Sequence, residues 1–305
     1  MPDIDPASPK PKTSHRTVGM VNSSAADFIV QFWGVRGQIS VPGKETIRYG
    51  GNTACVEMRL GNKRLIFDGG SGLRVLGNQL LSQMPVEAYV FFTHCHWDRI
   101  QGFPFFIPAF IPGNCFHIYG AEASDGESMQ QRLSRQMLGP NFPVPLQIMA
   151  SKLEFNHINP GSKLVLDDVI IETSLLNYSQ RSVGYRVTWQ GHTAVYATAS
   201  CCCRDALDRS LRDLAAQADL LILNAPSAAA MTEGKESCLQ RWQDTPWEKW
   251  VASAAAANVK QFVLSSYDPD YNDDFLDQVE QQVQSVFPNS VLAREGMVLP
   301  VGYAK

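Results

Sequence analysis

The chain has no surplus of basic charge. Lys and Arg number 26 against 30 Asp and Glu, a formal net charge of −4 over 305 residues. Sequence-independent binding of nucleic acid relies on clustered cations that neutralise phosphates, and no such stripe exists; Lys10 and Lys12 are too sparse for a basic tail. A nucleic-acid partner is therefore not expected. Runs of 18 or more apolar residues are also absent, which argues against a membrane-spanning helix. The nearest approach, residues 102–116, is interrupted by Pro104, Pro108 and Pro112, and prolines at that spacing break a helix. The first residues lack the charged-then-apolar order of a secretion signal, and no repeat of 20–50 residues recurs. Cysteines number seven, an odd count with Cys201, Cys202 and Cys203 consecutive. In a chain of this length that is no secreted disulfide framework, so reduced thiols and a cytoplasmic protein are expected.

What is present is enough apolar material, 45% of residues, for a full core. Residues 1–27 are rich in Pro, Ser and Lys and read as a disordered leader; residues 28–305 read as a single domain. Strands are expected at 28–33, 54–60, 63–67, 88–93, 116–119, 153–155, 163–165, 169–175, 184–189, 194–197, 220–223 and 261–264. Helices are expected at 73–83, 127–137, 205–217, 247–257 and 273–286. Strands in hairpin clusters separated by helices predict an α/β architecture: two mixed sheets sandwiched between outer helices.

The chemistry-bearing stretch is Thr93-His94-Cys95-His96-Trp97-Asp98, followed by Arg99. Histidines at i and i+2 on an extended segment point to the same side and can reach one metal ion, and Asp98 adds a hard oxygen. The expected strand 88–93 runs into His94, and strand ends are where α/β sheets build sites. This motif and the order of elements resemble the metallo-β-lactamase fold hydrolases, in particular their phosphodiesterase-like and RNase Z-like branch. The resemblance is carried also by Tyr49-Gly50-Gly51-Asn52-Thr53, by Ile66-Phe67-Asp68-Gly69-Gly70-Ser71-Gly72, by the Gln-Gly-Phe-Pro segment 101–104, by Val195-Tyr196-Ala197-Thr198, and by the last site strands at 219–223 and 262–270. It implies an αββα sandwich and, at the family's site, two metal ions that hold a hydroxide against an ester.

Position by position, the resemblance also implies which ligands this chain keeps. His94, His96 and Asp98 match. Arg99 stands at the fourth ligand position, and a guanidinium cannot ligate. Tyr178 stands near the expected third histidine, Ala199 at the bridging aspartate, and Ser266-Tyr267 before Asp268-Pro269, where a final histidine is expected. The resemblance gives Asp68 a supporting role, hydrogen-bonded to the histidines; a plain role in the glycine turn is the alternative. Arg99 is expected at the second metal position, paired with Asp98 in a bidentate contact that replaces metal charge by protein charge.

Two histidines without a third ligand imply no metal, or one weakly bound divalent ion: zinc, iron or manganese. The first expectation is a non-catalytic binding or regulatory protein, with a protein partner or a small anionic ligand in the altered cleft. The apolar segment 103–116 is expected as a partly buried loop, with an exposed apolar patch for a partner or a homo-oligomer as the alternative. The alternatives are a phosphodiesterase-like hydrolase with a mononuclear site, or one rewired through Cys201, Cys202 or Cys203, and a structural subunit of a complex. Cys95 with one of that triplet makes a candidate redox pair. His117 and His157 sit in or beside strands without metal spacing and receive core or surface roles.

Overall fold

The computed structural model describes residues 28–123, 125–176, 182–198, 205–225, 242–243, 245 and 247–302. The expectations for the leader 1–27, Tyr178, Ala199, Cys201, Cys202 and Cys203 lie outside these residues. Two seven-stranded sheets pack face to face with helices outside, the expected sandwich.

The first sheet is built from β1 (Phe28–Gly34), β2 (Cys55–Leu60), β3 (Lys63–Phe67), β4 (Glu87–Phe91), β5 (Cys115–Gly120), β6 (Lys152–His157) and, at the other edge, β14 (Val298–Pro300), in the order β14-β1-β2-β3-β4-β5-β6. The second holds β7 (Lys163–Leu166), β8 (Val169–Leu175), β9 (Val183–Trp189), β10 (His192–Thr198), β11 (Leu220–Asn224), β12 (Gln261–Ser265) and β13 (Ser290–Leu292), in the order β13-β12-β11-β10-β9-β8-β7. Helices α1 (Ser71–Leu80), α2 (Trp97–Ile100), α3 (Met129–Gln136), α4 (Asp205–Ala215), α5 (Trp247–Ala256) and α6 (Asp273–Val286) complete the described elements.

Local chemistry accounts for several boundaries. Gly61-Asn62 closes the β2–β3 hairpin with a left-handed Gly61, a conformation that a residue without Cβ adopts freely. Ser128 and Gln131 form a reciprocal capping box at α3. Asn272 caps α6, whose first turn carries Asp273 and Asp274 against the helix dipole. The three-proline segment folds into short 3₁₀ turns at Phe103–Phe105 and Ile107–Phe110. Phe103, Phe106 and Ala109 go into the core beneath the outer face of the first sheet, while Phe105 and Ile107 stay exposed.

Within each sheet one half is antiparallel and the other parallel. The strands β3-β4-β5-β6 and β10-β11-β12-β13 run parallel. β11, Leu-Leu-Ile-Leu-Asn, is buried throughout, as a parallel strand covered on both faces must be. Between the sheets, Phe67 and Phe91 stack at 5.4 Å between centroids, and Tyr185 and Tyr196 reach Phe67 from the second sheet at 5.5 and 5.3 Å. This aromatic floor lies beneath the carboxyl ends of β3, β4 and β10, where both parallel halves release their chains.

Candidate functional site

The strands β3, β4, β10, β11 and β12 hand polar residues to the same end of the sandwich. β3 ends in Asp68, which is fully buried and adopts a left-handed φ of 61°, a conformation that Asp accepts better than most side chains. β4 continues through Phe92 into Thr93, His94 and His96. Thr198, Asn224 and Ser265, all buried, close β10, β11 and β12 and are paired in register across those strands. Ser266, again left-handed at 62°, donates to Asn224 Oδ1 at 3.0 Å. Non-glycine residues held in this conformation concentrate at functional sites.

Close backbone packing aligns the two halves of the β3–β4 end. Gly69 N donates to Arg99 O at 2.6 Å and Gly102 N to Gly69 O at 2.8 Å. A Cβ on Gly102 would sit 1.9 Å from the Gly70 carbonyl oxygen, so only glycine permits this approach. The Asp68-Gly69-Gly70 turn is thereby laid against α2, with the carboxylate facing the guanidinium of Arg99.

The charges then form one buried group. Arg99 Nη1 lies 3.2 Å from Asp68 Oδ2 and Arg99 Nε lies 3.2 Å from Asp98 Oδ2. The expected bidentate pair with Asp98 is instead one guanidinium shared between two carboxylates, because the glycine turn brings Asp68 as close as Asp98. Tyr196 donates to Asp68 Oδ2 at 2.9 Å, and the Thr93 amide and hydroxyl donate to Oδ1 at 2.8 and 2.9 Å. Burial raises the Asp68 carboxyl above its ordinary value, opposed by Arg99 and by these donors. Asp68 reaches the histidines by way of Thr93, whose hydroxyl lies 2.9 Å from His94 Nδ1.

His94 Nε2 and His96 Nδ1 are 3.1 Å apart. Burial, with Arg99 and His96 adding to it, holds His94 well below the ordinary histidine value. His96 is lowered too, again by burial first. Both rings are held as neutral imidazoles, the form in which a histidine donates a lone pair. Cys95, between them, turns away toward Met129 at 3.9 Å, and burial pushes its thiol up to about 11.

Of the donors a two-ion centre uses, the described residues bring His94 and His96 together. Arg99 holds both nearby carboxylates. Among the described residues, no third His, Cys, Asp or Glu donor converges with His94 and His96 within 4.8 Å. Ser266 and Tyr267 occupy the last expected ligand position: Ser266 bonds to Asn224, and Tyr267 donates to the carbonyls of Leu264 and Ala293 at 2.9 and 2.8 Å. Thr93, Tyr196 and Asn224, at or near strand ends, were given no role from sequence. The available signal was a polar residue closing an otherwise apolar run.

A family profile described as "beta-lactamase superfamily domain" matches residues 63–265, two thirds of the sequence. The chain belongs to this superfamily. Solved structures agree on the fold. The metallo-beta-lactamase fold protein YhfI from Bacillus subtilis is 17% identical with a TM-score of 0.62, covering 89% of this chain and 99% of that one. A diphosphatase from the PhnP family is 17% identical at a TM-score of 0.62, covering 89% and 97%. Human tRNase Z, short form, is 17% identical at 0.59, covering 90% and 100%. At these identities the likeness establishes the metallo-β-lactamase fold alone. No curated protein matches by sequence. Among the described residues, no helix is long and apolar enough to cross a membrane.

Proposed function

We propose that this superfamily member is a non-catalytic binding or regulatory protein, built on the sandwich of metal-dependent hydrolases. One observation carries the reading: the guanidinium of Arg99 is held between Asp68 and Asp98, so protein charge balances the carboxylates in the place where the family resemblance puts metal charge. With Arg99 so engaged, a small polar or anionic ligand at this end of the sandwich would meet mainly neutral hydrogen-bonding groups, His94 and His96 first. Trp97, Phe105 and Ile107, exposed nearby in sequence, give a protein partner or a second copy an apolar foothold.

A second reading is favoured by the 3.1 Å separation of His94 Nε2 and His96 Nδ1: a hydrolase with one divalent ion, its remaining ligands supplied by Cys201, Cys202 or Cys203. Hydrolysis of bis-p-nitrophenyl phosphate separates the two. With zinc, manganese or ferrous iron added, turnover by the full chain is expected to equal that of the His94→Ala, His96→Ala double variant, and the two are expected to bind the same amount of metal. Metal-dependent turnover that the double variant loses would overturn the binding-protein reading in favour of the single-ion enzyme.

A further inference from the structure

A second set of donor atoms lies at the amino ends of β4 and β5, roughly 20 Å from His94 at about 3.3 Å per residue along β4. Glu87 and Cys115 are direct cross-strand partners, and His117 follows Cys115 by two residues on the same face. His117 Nε2 is 2.9 Å from Glu87 Oε1 and 3.6 Å from Cys115 Sγ. These three are the only group of three or more His, Cys, Asp or Glu donors among the described residues whose ligand atoms lie within 4.8 Å of one another.

We infer that Glu87, Cys115 and His117 form a zinc-type divalent-metal site, with its fourth position open to water or to a donor from a bound partner. The distances favour it. Zinc bonds of about 2.3 Å to sulfur and about 2.0–2.1 Å to nitrogen, at a tetrahedral angle, set those two atoms about 3.5–3.6 Å apart. Glu87, largely exposed, needs only to move its carboxylate outward by a few tenths of an ångström, from a hydrogen bond to coordination.

The surroundings of His117 are those of a ligand rather than of a free surface imidazole. Its other ring nitrogen, Nδ1, lies 2.7 Å from Glu154 Oε2, on the adjacent strand and in register with it. A carboxylate there accepts the Nδ1 proton and presents the Nε2 lone pair to the metal, the usual support of a zinc-bound histidine. Tyr89 stacks on the imidazole at 4.7 Å with 14° between planes, which fixes the ring. Lys152, paired with Glu154, holds that carboxylate ionised. One thiolate, one imidazole and one carboxylate make a mixed set that suits zinc and disfavours magnesium and calcium, which take oxygen ligands. The rival account is an imidazolium between two carboxylates, with the thiol uninvolved.

Cobalt titration distinguishes these. The full chain carrying His94→Ala and His96→Ala, so that the histidine pair contributes nothing, is titrated with Co²⁺ and then with Zn²⁺ against a chromophoric chelator. The expected result is one Co²⁺ per chain with a thiolate-to-cobalt charge-transfer band, displaced by one equivalent of Zn²⁺. Cys115→Ser is expected to abolish the band, His117→Ala to weaken zinc binding at least 100-fold, and Glu154→Gln to weaken it about 10–100-fold. No bound metal, a band that survives Cys115→Ser, or zinc affinity unchanged by His117→Ala would each overturn the site. Because all variants share the His94, His96 background, the outcome is independent of the function proposed above.

Discussion

Arg99 shows how much one side chain decides. It is 3% exposed, with two carboxylates within 3.2 Å, so its charge is compensated locally. Replacing it by an apolar residue of similar length leaves Asp68 buried and unpaired with its cation. Arg99→Met is therefore expected to lower stability by about 3–5 kcal/mol, the usual consequence of removing one partner of a buried ion pair. Asp68→Asn in the same chain should recover part of that loss. Denaturant melts of the single and double variants check this, and an unchanged midpoint for Arg99→Met would refute the shared-cation account. His94, His96, Asp98 and Arg99 were legible in sequence as a group because four of six consecutive residues carry them. Asp68 as the second carboxylate on Arg99 was not, because it stands 31 residues away and reaches the cation only through the Gly69–Gly102 backbone approach. His117 was given a plain core or surface role for the same reason: its companions Glu87 and Glu154 lie on neighbouring strands, invisible to spacing along the chain.

At the scale of elements, β11 is tied at its start to both neighbours by Asp219. The carboxylate accepts from the Thr193 amide at 2.7 Å and from Lys260 Nζ at 2.6 Å, while its own amide and carbonyl join the ladders on either side. Burial pushes this carboxyl up, but Lys260 and the Thr193 amide outweigh it and hold the group below the ordinary carboxylate value. A depressed carboxyl contributes stability that is present above the unfolded value near pH 4 and is lost as pH falls through the folded one. Asp219→Asn is thus expected to lower stability by about 1–2 kcal/mol at pH 7, with the gap to the parent closing below about pH 4. Urea melts at pH 7 and pH 3 measure it; a gap independent of pH would refute the assignment. The long strands and helices were readable because alternation and helical periodicity are local. The three-residue strands β13 and β14 and the single turn α2 were not, since they are too short for any period and exist only because a neighbour accepts their hydrogen bonds.

The whole molecule is held together across the sandwich by packing, with a few directed bonds beside the site. Tyr185 of β9 donates to the Phe92 carbonyl at 2.6 Å, and the Val183 amide donates to the Thr93 carbonyl at 2.8 Å. These contacts fasten the second sheet to the loop that carries the histidines. Tyr185→Phe keeps the ring among Phe67 and Phe91 but leaves a buried carbonyl without its donor, which is expected to lower stability by about 1–2 kcal/mol. Hydrogen exchange of the amides at 93–96 should quicken in that variant, and exchange unchanged from the parent would mean that the second sheet does not anchor the loop.

The division between chain and fold follows from the range of the forces involved. Sequence alone determined the two-sheet sandwich, the order of its longer elements and the strand end at which the polar residues gather, because each depends on periodicity, turn chemistry and a short cluster of like-facing side chains. Tertiary structure alone decided what those residues do together. It placed Asp68 on Arg99, Tyr196 on Asp68, Ser266 on Asn224, and Cys115, His117 and Glu87 on one face, because hydrogen bonds and ion pairs act within about 3–4 Å and only the folded sheets bring such distant residues that close.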